Sequence, residues 1–487
     1  MIETHTKLFI NGTWEKPATA ATIDVISPHT EQVIARVAEA SQADVDRAVA
    51  AARAAFDDGP WPRLSGAERG AAMQRLLMAL QMRGEQLAQV ITNEMGSPIS
   101  FSNMGQVMAA NFVLDYYARL AGEYAFEDVR PGMLGPALVR REPVGVAAAI
   151  VPWNVPLFTI MLKLGPALAA GCTVVVKPAP ETPLDAVILA EALVEAEIPA
   201  GVVNILPAGR EVGEYLVTHP GVDKVSFTGS TAAGRRIAAL CGERLRRVTL
   251  ELGGKSAAII LDDADLDSTV AGLLPAMIMN NGQACVAQTR VLAPRRRYKD
   301  VTEALGALFA GLSVGDPADP ATMVGPLVSA RQRDRVEGYI AIGRKEGAKV
   351  AVGGGRPAAQ ATGWYVEPTL FTDVDNKMRI AQEEIFGPVV AVIPYEDEAD
   401  ALRIANDSEY GLSGSVWTAD VDHGLDVARR VRTGTYTVNG FMMEFSAPFG
   451  GFKCSGIGRE LGPEGLSAYL EPKTINLPMG YEPRTRN

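Results

Sequence analysis

The middle of this chain predicts an α/β fold, a parallel sheet wound with helices on both faces. Two observations carry that prediction. From Gly145 onward, short β-rich runs recur at Val146 to Val151, Thr173 to Val176, Val202 to Leu206 and Val225 to Phe227. Helical patterns such as Leu184 to Glu195 and Val212 to Thr218 separate them, and strands alternating with helices mark parallel crossover units.

The elements before Gly145 read differently. Leu8 to Trp14 predicts a short hairpin turning at Asn11-Gly12, and an alanine-rich helix follows from Gln42 to Phe56. Further helices are expected over Ala67 to Gly84 and Glu85 to Met95. After the β-rich run ending at Phe227, Gly229-Ser230-Thr231-Ala232-Ala233-Gly234 leads into a helical Arg235 to Leu240, a strand-to-helix turn of the kind that offers backbone N–H groups and a helix N-terminus to phosphate. Arg247 to Leu250 has strand character that Gly253 and Gly254 break, so Glu251 is expected near a strand's end, facing a cleft.

Composition excludes more than it identifies. A length of 487 residues leaves room for two or three domains with large cores. The excess of 57 acidic over 46 basic residues argues against nucleic acid or an anionic membrane as the main partner. Met1-Ile2-Glu3-Thr4-His5 lacks a basic region followed by an apolar stretch, and no long uncharged apolar run appears later. Four cysteines without paired or zinc-like spacing make a reducing cytoplasm the simplest compartment.

Chemistry enters with Cys285, in Asn-Asn-Gly-Gln-Ala-Cys, and with Glu251 in Leu-Glu-Leu-Gly-Gly-Lys. A thiolate beside a carboxylate can form a covalent acyl intermediate and then activate water to release it. A lone cysteine is more often a small buried hydrophobe, and Cys172, Cys241 and Cys454 fit that reading among small or apolar neighbours. Cys285 instead follows Gly282 in a polar stretch after the apolar Leu273 to Met279, where a turn would expose it to substrate. Glu251 has two readings, since a carboxylate about 20 residues past a glycine loop also suits a ribose-binding acid. The histidines His5, His29, His219 and His423 lie outside these segments, so neither a histidine-activated cysteine nor a catalytic metal is expected.

With these segments in order, the chain resembles the aldehyde dehydrogenase superfamily over nearly its whole length. Pro152-Trp153-Asn154 is similar to the segment carrying the oxyanion-hole asparagine, and Lys163 matches a lysine assigned to proton relay. The Phe227 to Gly234 run resembles the pyrophosphate loop, Glu384-Ile385-Phe386-Gly387-Pro388 the segment holding the nicotinamide ribose, and Pro448-Phe449-Gly450-Gly451 with Ser455-Gly456 a late loop of the family. The resemblance implies that Cys285, Glu251, Asn154 and Lys163 are catalytic, with Glu251 the general base. Pro152, Trp153, Lys177, Pro180, Glu181, Gly229, Ser230, Gly234, Leu252, Glu384 and Phe386 would form the cofactor site. In isolation Lys163 reads equally as a lysine snorkelling from an apolar helix over Thr159 to Leu168, and Lys177 as a solvated lysine at a strand end.

One position departs from the pattern. Many NAD-preferring relatives place a glutamate three residues after the lysine matched by Lys177, to accept hydrogen bonds from the adenosine ribose, whereas this chain has Pro180 there and Glu181 next. NAD is the expected cofactor, and the missing acid leaves NADP possible.

The architecture implied is a Rossmann-type dinucleotide-binding domain (1–124 and 143–252), an α/β catalytic domain (253–454) and a small β oligomerisation element with the C-terminal tail (125–142 and 455–487). A homodimer or homotetramer follows from that element. Val155, Phe158, Leu162, Ala284, Val286, Met442, Met443 and Phe445 flank the matched motifs and favour an apolar aldehyde, of medium-chain aliphatic, terpenoid or aromatic type. The expected reaction is oxidation to the carboxylic acid through a thioester. A CoA-acylating enzyme and a noncatalytic binding or structural protein of the same fold are the alternatives.

Overall fold

Eight strands form the larger sheet of this computed structural model, in the spatial order Gly456–Ile457, Arg247–Glu251, Lys224–Thr228, Val146–Ile150, Thr173–Lys177, Val203–Ile205, Leu8–Ile10 and Thr13–Glu15. The structure describes residues 3–481; Met1, Ile2 and the last six residues of the expected tail lie outside it. The five strands from Arg247–Glu251 to Val203–Ile205 run parallel, and the flanking strands are antiparallel. Val146–Ile150 and Thr173–Lys177 are buried at every position. That follows from helices on both sides, since a strand with no solvated face cannot alternate apolar with polar.

The predicted hairpin and the helices Gln42–Asp57, Gly66–Gln81, Gly84–Met95, Leu184–Glu195 and Arg210–Thr218 all form. The helix after the glycine loop begins earlier than expected. It spans Thr231–Glu243, because the Ser230 side chain caps it by accepting from Ala233 N–H, and Ala232 and Ala233 are strong helix formers. Pro156–Ala170 is buried along its entire length, at the centre of the main core between sheet and helices.

Chain order decides where this sheet can bind a ligand. The chain builds outward from Val146–Ile150 through Thr173–Lys177 to Val203–Ile205, then returns to place Lys224–Thr228 on the other side of Val146–Ile150. Connections leave these two neighbours in opposite directions, which opens a crevice at their carboxyl ends. Pro152-Trp153 and Gly229-Ser230 stand there.

A second, seven-stranded sheet runs Lys349–Val352, Thr369–Thr372, Val389–Tyr395, Arg290–Pro294, Ala257–Ile260, Gly414–Trp417 and Thr437–Val438, parallel except for its first strand. Cys285 precedes Arg290–Pro294 and Glu384 precedes Val389–Tyr395 by five residues each. The amino ends of this sheet therefore meet the carboxyl ends of the first. Glu127–Arg130, Ala137–Pro143 and Leu470–Asn476 form a separate antiparallel sheet, which draws on both segments assigned to the small β element from sequence. Gly456–Ile457, grouped with the tail from sequence, pairs instead with Arg247–Glu251 in the larger sheet. No helix among the described residues is long and apolar enough to cross a membrane.

Candidate active site

Cys285 lies half-buried on the wall of a cavity of about 410 Å³ whose lining includes Asn154, Thr228, Gly253, Glu384 and Phe386. The loop that carries it is an unusual piece of backbone. Asn280, Asn281 and Gly282 are successively left-handed, with φ of 53°, 62° and 72°. Asparagine tolerates that conformation better than other residues with side chains. A Cβ on Gly282 would stand 2.2 Å from the Gly387 backbone, so glycine lets the cysteine loop abut the Glu384 to Pro388 segment. Asn281 anchors the loop, donating to Gly96 O at 2.8 Å and Pro326 O at 2.9 Å and accepting from Gly325 N–H at 2.7 Å.

Asn154 reaches the same loop from the other sheet. Its side-chain amide donates to Gln283 O at 2.8 Å, which orients the group and uses one of its two N–H bonds. Burial pushes the Cys285 thiol up to about 12, with Glu384 and then Glu251 adding repulsion, while the Cys285 and Val286 amides oppose the shift.

Glu251 ends its strand as predicted, yet its carboxyl does not line the Cys285 cavity. It packs on Gly450, where a Cβ would fall 2.6 Å from Oε1, and both carboxyl oxygens are buried without a hydrogen-bond partner. Burial raises its pKa well above the ordinary carboxylate value, Glu460 raises it further, and Lys163 and Arg459 pull it down. Lys163 is itself fully buried, which overturns the snorkelling alternative. Its ammonium donates to Glu460 Oε1 at 2.7 Å and to Thr228 Oγ1 at 2.5 Å. Glu460 was missed from sequence because its partner lies 297 residues away and no motif singles it out.

Around the cofactor segments, Glu384 Oε1 accepts from Gly254 N–H at 3.0 Å, and Gln332 Nε2 and Arg335 Nε donate to Phe386 O and Ile385 O. Phe386 has φ of 66° and sets its ring edge-on to Trp153, centroids 5.4 Å apart. Pro152, Trp153, Gly229, Ser230 and Leu252 line the Cys285 cavity as well. A second cavity of about 890 Å³ shares Pro152, Trp153, Thr228, Gly229, Ser230 and Arg331 with the first and adds Lys177, Pro180 and Glu181.

Three details differ from the sequence reading. Gly234 sits inside the helix with its N–H bonded to Ser230 O at 2.9 Å, and a Cβ there would strike Leu252 at 2.5 Å, so it serves close packing of helix on sheet. Lys177 is buried rather than solvated: its ammonium donates to Pro178 O at 2.9 Å and Ala208 O at 2.8 Å, and burial lowers its pKa to about 8. Cys454 is half-buried beside Arg235, which donates to its sulfur at 3.4 Å, whereas Cys172 and Cys241 are buried as expected.

The candidate substrate positions separate. Val155 lines the Cys285 cavity, Leu162 and Ala284 are core residues, and Val286, Met442 and Met443 line a neighbouring cavity of about 320 Å³. Phe445 lies between Phe158 and Phe112, with ring centroids 6.4 and 5.8 Å away, so an aromatic row runs from the core to a half-exposed ring.

The aldehyde dehydrogenase family model matches residues 14–475. A geranial dehydrogenase of Castellaniella defragrans is 50% identical over 97% of this chain and 99% of its own length. Among solved structures, a Mycobacterium tuberculosis aldehyde dehydrogenase complexed with NAD+ has a TM-score of 0.98 at 49% identity, covering 99% of this chain and 100% of that one. A Pseudomonas syringae aldehyde dehydrogenase C mutant, complexed with NAD+ and octanal, has a TM-score of 0.94 at 42% identity, covering 97% and 96%. The fold, the converging cysteine and asparagine loops and these similarities agree that the chain belongs to the aldehyde dehydrogenase family.

Proposed function

We propose that this protein oxidises an apolar aldehyde to its carboxylic acid, with NAD+ as the hydride acceptor. The observation that carries the mechanism is the convergence of Cys285 and Asn154 on one cavity, tied together through Gln283 O. The second N–H of the Asn154 amide and the Cys285 N–H suit an oxyanion, where preorganised donors stabilise charge as it develops.

The residues fit the cofactor. Two contiguous cavities meet at the carboxyl ends of the parallel strands, the first turn of Thr231–Glu243 forms part of the larger one, and the Glu384 carboxylate borders the smaller. Pro152, Trp153, Gly229, Ser230 and Leu252 would hold it, Glu384 would accept from ribose hydroxyls, and Phe386 would pack nearby. The nicotinamide, when bound, takes up the hydride released from the aldehyde carbon.

On the protein side, the Cys285 thiol gives up its proton to solvent and the thiolate attacks the aldehyde carbon, forming a C–S bond and turning the carbonyl π bond into an oxyanion. Departure of hydride from that carbon leaves a thioester. Glu251, rotated away from Gly450, removes a proton from water, which attacks the thioester carbon; the C–S bond breaks, the acid leaves and the thiolate is restored. The Lys163 ammonium offsets the charge Glu251 carries as a base, while Glu460 opposes that charge and holds Lys163 in place.

The aromatic row and the neighbouring methionines favour an elongated apolar substrate, and the similarity to a geranial dehydrogenase supports a terpenoid or medium-chain aldehyde. We read 1–124 and 143–252 as the cofactor domain, 253–454 as the catalytic domain and the remainder as an oligomerisation element. The small sheet's open edges and the highly exposed Met133 and Leu134 support a homo-oligomer. Reduced cofactor measured across an aldehyde panel, with and without CoA, tests the reading. Formation without CoA, strongest with geranial or octanal, is expected; a strict CoA requirement or no turnover with any aldehyde would overturn it.

A further inference from the structure

Between Ile99–Phe101 and Ala109–Glu123 the helix widens into a π-helix over Ser102–Met108. Such segments are rare because their hydrogen bonding is poorer, and they persist where they re-aim a side chain. Here the side chain is Gln106. It is fully buried, and its Nε2 donates to the main-chain carbonyl of Asn154 at 3.1 Å. Asn280 Nδ2 donates to the same carbonyl at 2.7 Å and to Gln283 O at 3.3 Å. One carbonyl thus receives an amide from the widened helix and another from the cysteine loop.

We propose that Gln106 is a positioning residue for the oxyanion site, holding Asn154 through its main-chain carbonyl so that the side-chain amide faces the aldehyde oxygen. The proposal rests on the reading of Asn154 as the oxyanion donor. Asn154 stands just ahead of Pro156–Ala170, where Pro156 has no N–H to join the network. Rotation of the Asn154 peptide would move its side chain and the Gln283 contact together. Two donors on its carbonyl oppose that rotation, and catalytic geometry is sensitive at this scale. Asn280 belongs to the same loop as Cys285, so Gln106 is the donor that ties Asn154 to the helical layer instead.

The experiment is a double-mutant cycle on the full enzyme. Gln106→Met keeps an unbranched side chain of similar length and removes the donor. The rate of the first burst of reduced cofactor should fall by roughly tenfold, as for loss of a group that only orients a catalytic donor, with NAD+ affinity unchanged. In an Asn154→Ala background the same substitution should change the burst by less than about twofold, since groups acting as one unit are non-additive. Equal losses in both backgrounds, or a Gln106→Met burst at the wild-type rate, would overturn the positioning role. A wild-type burst in Asn154→Ala would instead remove the oxyanion reading beneath it. Gln106→Glu provides a second variant, because a protonated carboxyl there can donate in place of the amide. Its burst should exceed that of Gln106→Met at low pH and converge with it as pH rises; a rate equal to Gln106→Met at every pH counts against the proposal.

Discussion

Lys163 and Glu460 form an ion pair 2.7 Å long that is almost completely withdrawn from solvent, and Glu251 lies within its electrostatic reach. Three ionisable groups share one buried pocket beside the reaction cavity. Burial disfavours charge on the Glu251 carboxyl, and the one ammonium in the pocket is already paired with Glu460. Ser226 Oγ donates to Glu460 Oε1 at 3.4 Å, leaving Glu460 Oε2 buried without a partner.

From that arrangement Glu460→Gln has a definite sign. Burial is the first cause of the raised Glu251 pKa and Glu460 the second, so neutralising Glu460 should lower the Glu251 pKa. A base becomes active above its own pKa, and the acid limb of kcat should therefore move to lower pH, provided deacylation limits turnover. Measuring kcat from pH 5 to 9 in wild type and variant checks this. An acid limb that stays in place would separate Glu460 from the base, and a shift to higher pH would reverse the electrostatic assignment.

Cys285 supplies a second test that does not depend on turnover. In the free enzyme its thiol is pushed up to about 12 by burial, then by Glu384, then by Glu251. Alkylation by iodoacetamide requires thiolate, so its rate should keep rising with pH through 10 without a plateau. Glu384→Gln should move that rise to lower pH, and by more than Glu251→Gln. Profiles in which Glu251→Gln has the larger effect would place the carboxyls differently around the sulfur.

What the sequence made legible was local. Cys285, Glu251 and Asn154 each stand in a short run whose glycines, prolines or asparagines dictate the backbone, so a motif identified them one at a time. The pairing of Lys163 with Glu460 and of Gln106 with the Asn154 carbonyl spans 297 and 48 residues, and only the folded core brings them together. Orientation was hidden too: the end of the strand at Glu251 was readable, but the missing Cβ of Gly450 that lets its carboxyl lie away from Cys285 depends on a loop about 200 residues later. The same limit explains Lys177, whose burial is set by carbonyls at Pro178 and Ala208 rather than by its own segment.

A different buried pair bears on how stability changes with pH. Glu94, on Gly84–Met95, and Asp185, in the first turn of Leu184–Glu195, are fully buried, and Asp185 adds repulsion to any charge on Glu94. Burial raises both, Glu94 well above the ordinary range and Asp185 to about 7. An acid whose folded pKa exceeds its unfolded one keeps its proton longer when folded, so its contribution is full below about pH 4 and is lost as pH rises toward 7. Asp185→Asn removes that loss, and its melting temperature relative to wild type should climb between pH 4 and 7. Differential scanning fluorimetry across that range gives the answer; a constant offset would mean that the pair does not titrate there.

The adenosine end of the cofactor site yields the last prediction. Pro180 lines the larger cavity at the position where the family resemblance expects a ribose-binding acid, and the neighbouring Glu181 has its carboxylate 3.3 Å from Arg331. Lys177 and Arg210 border the same cavity and its other carboxylate, Glu214, is paired with Arg236 at 2.6 Å, so no lone carboxylate dominates the field met by a 2′-phosphate. NADP should therefore support measurable oxidation alongside NAD. Pro180→Glu should shift kcat/KM toward NAD by adding both a ribose acceptor and charge repulsion, and a charge-assisted hydrogen bond of about 1.5–3 kcal/mol corresponds to a tenfold or greater change. Comparing both cofactors in wild type and variant measures that shift directly. Strict NAD use by the wild type, unchanged in Pro180→Glu, would assign the discrimination to Glu181 despite its contact with Arg331.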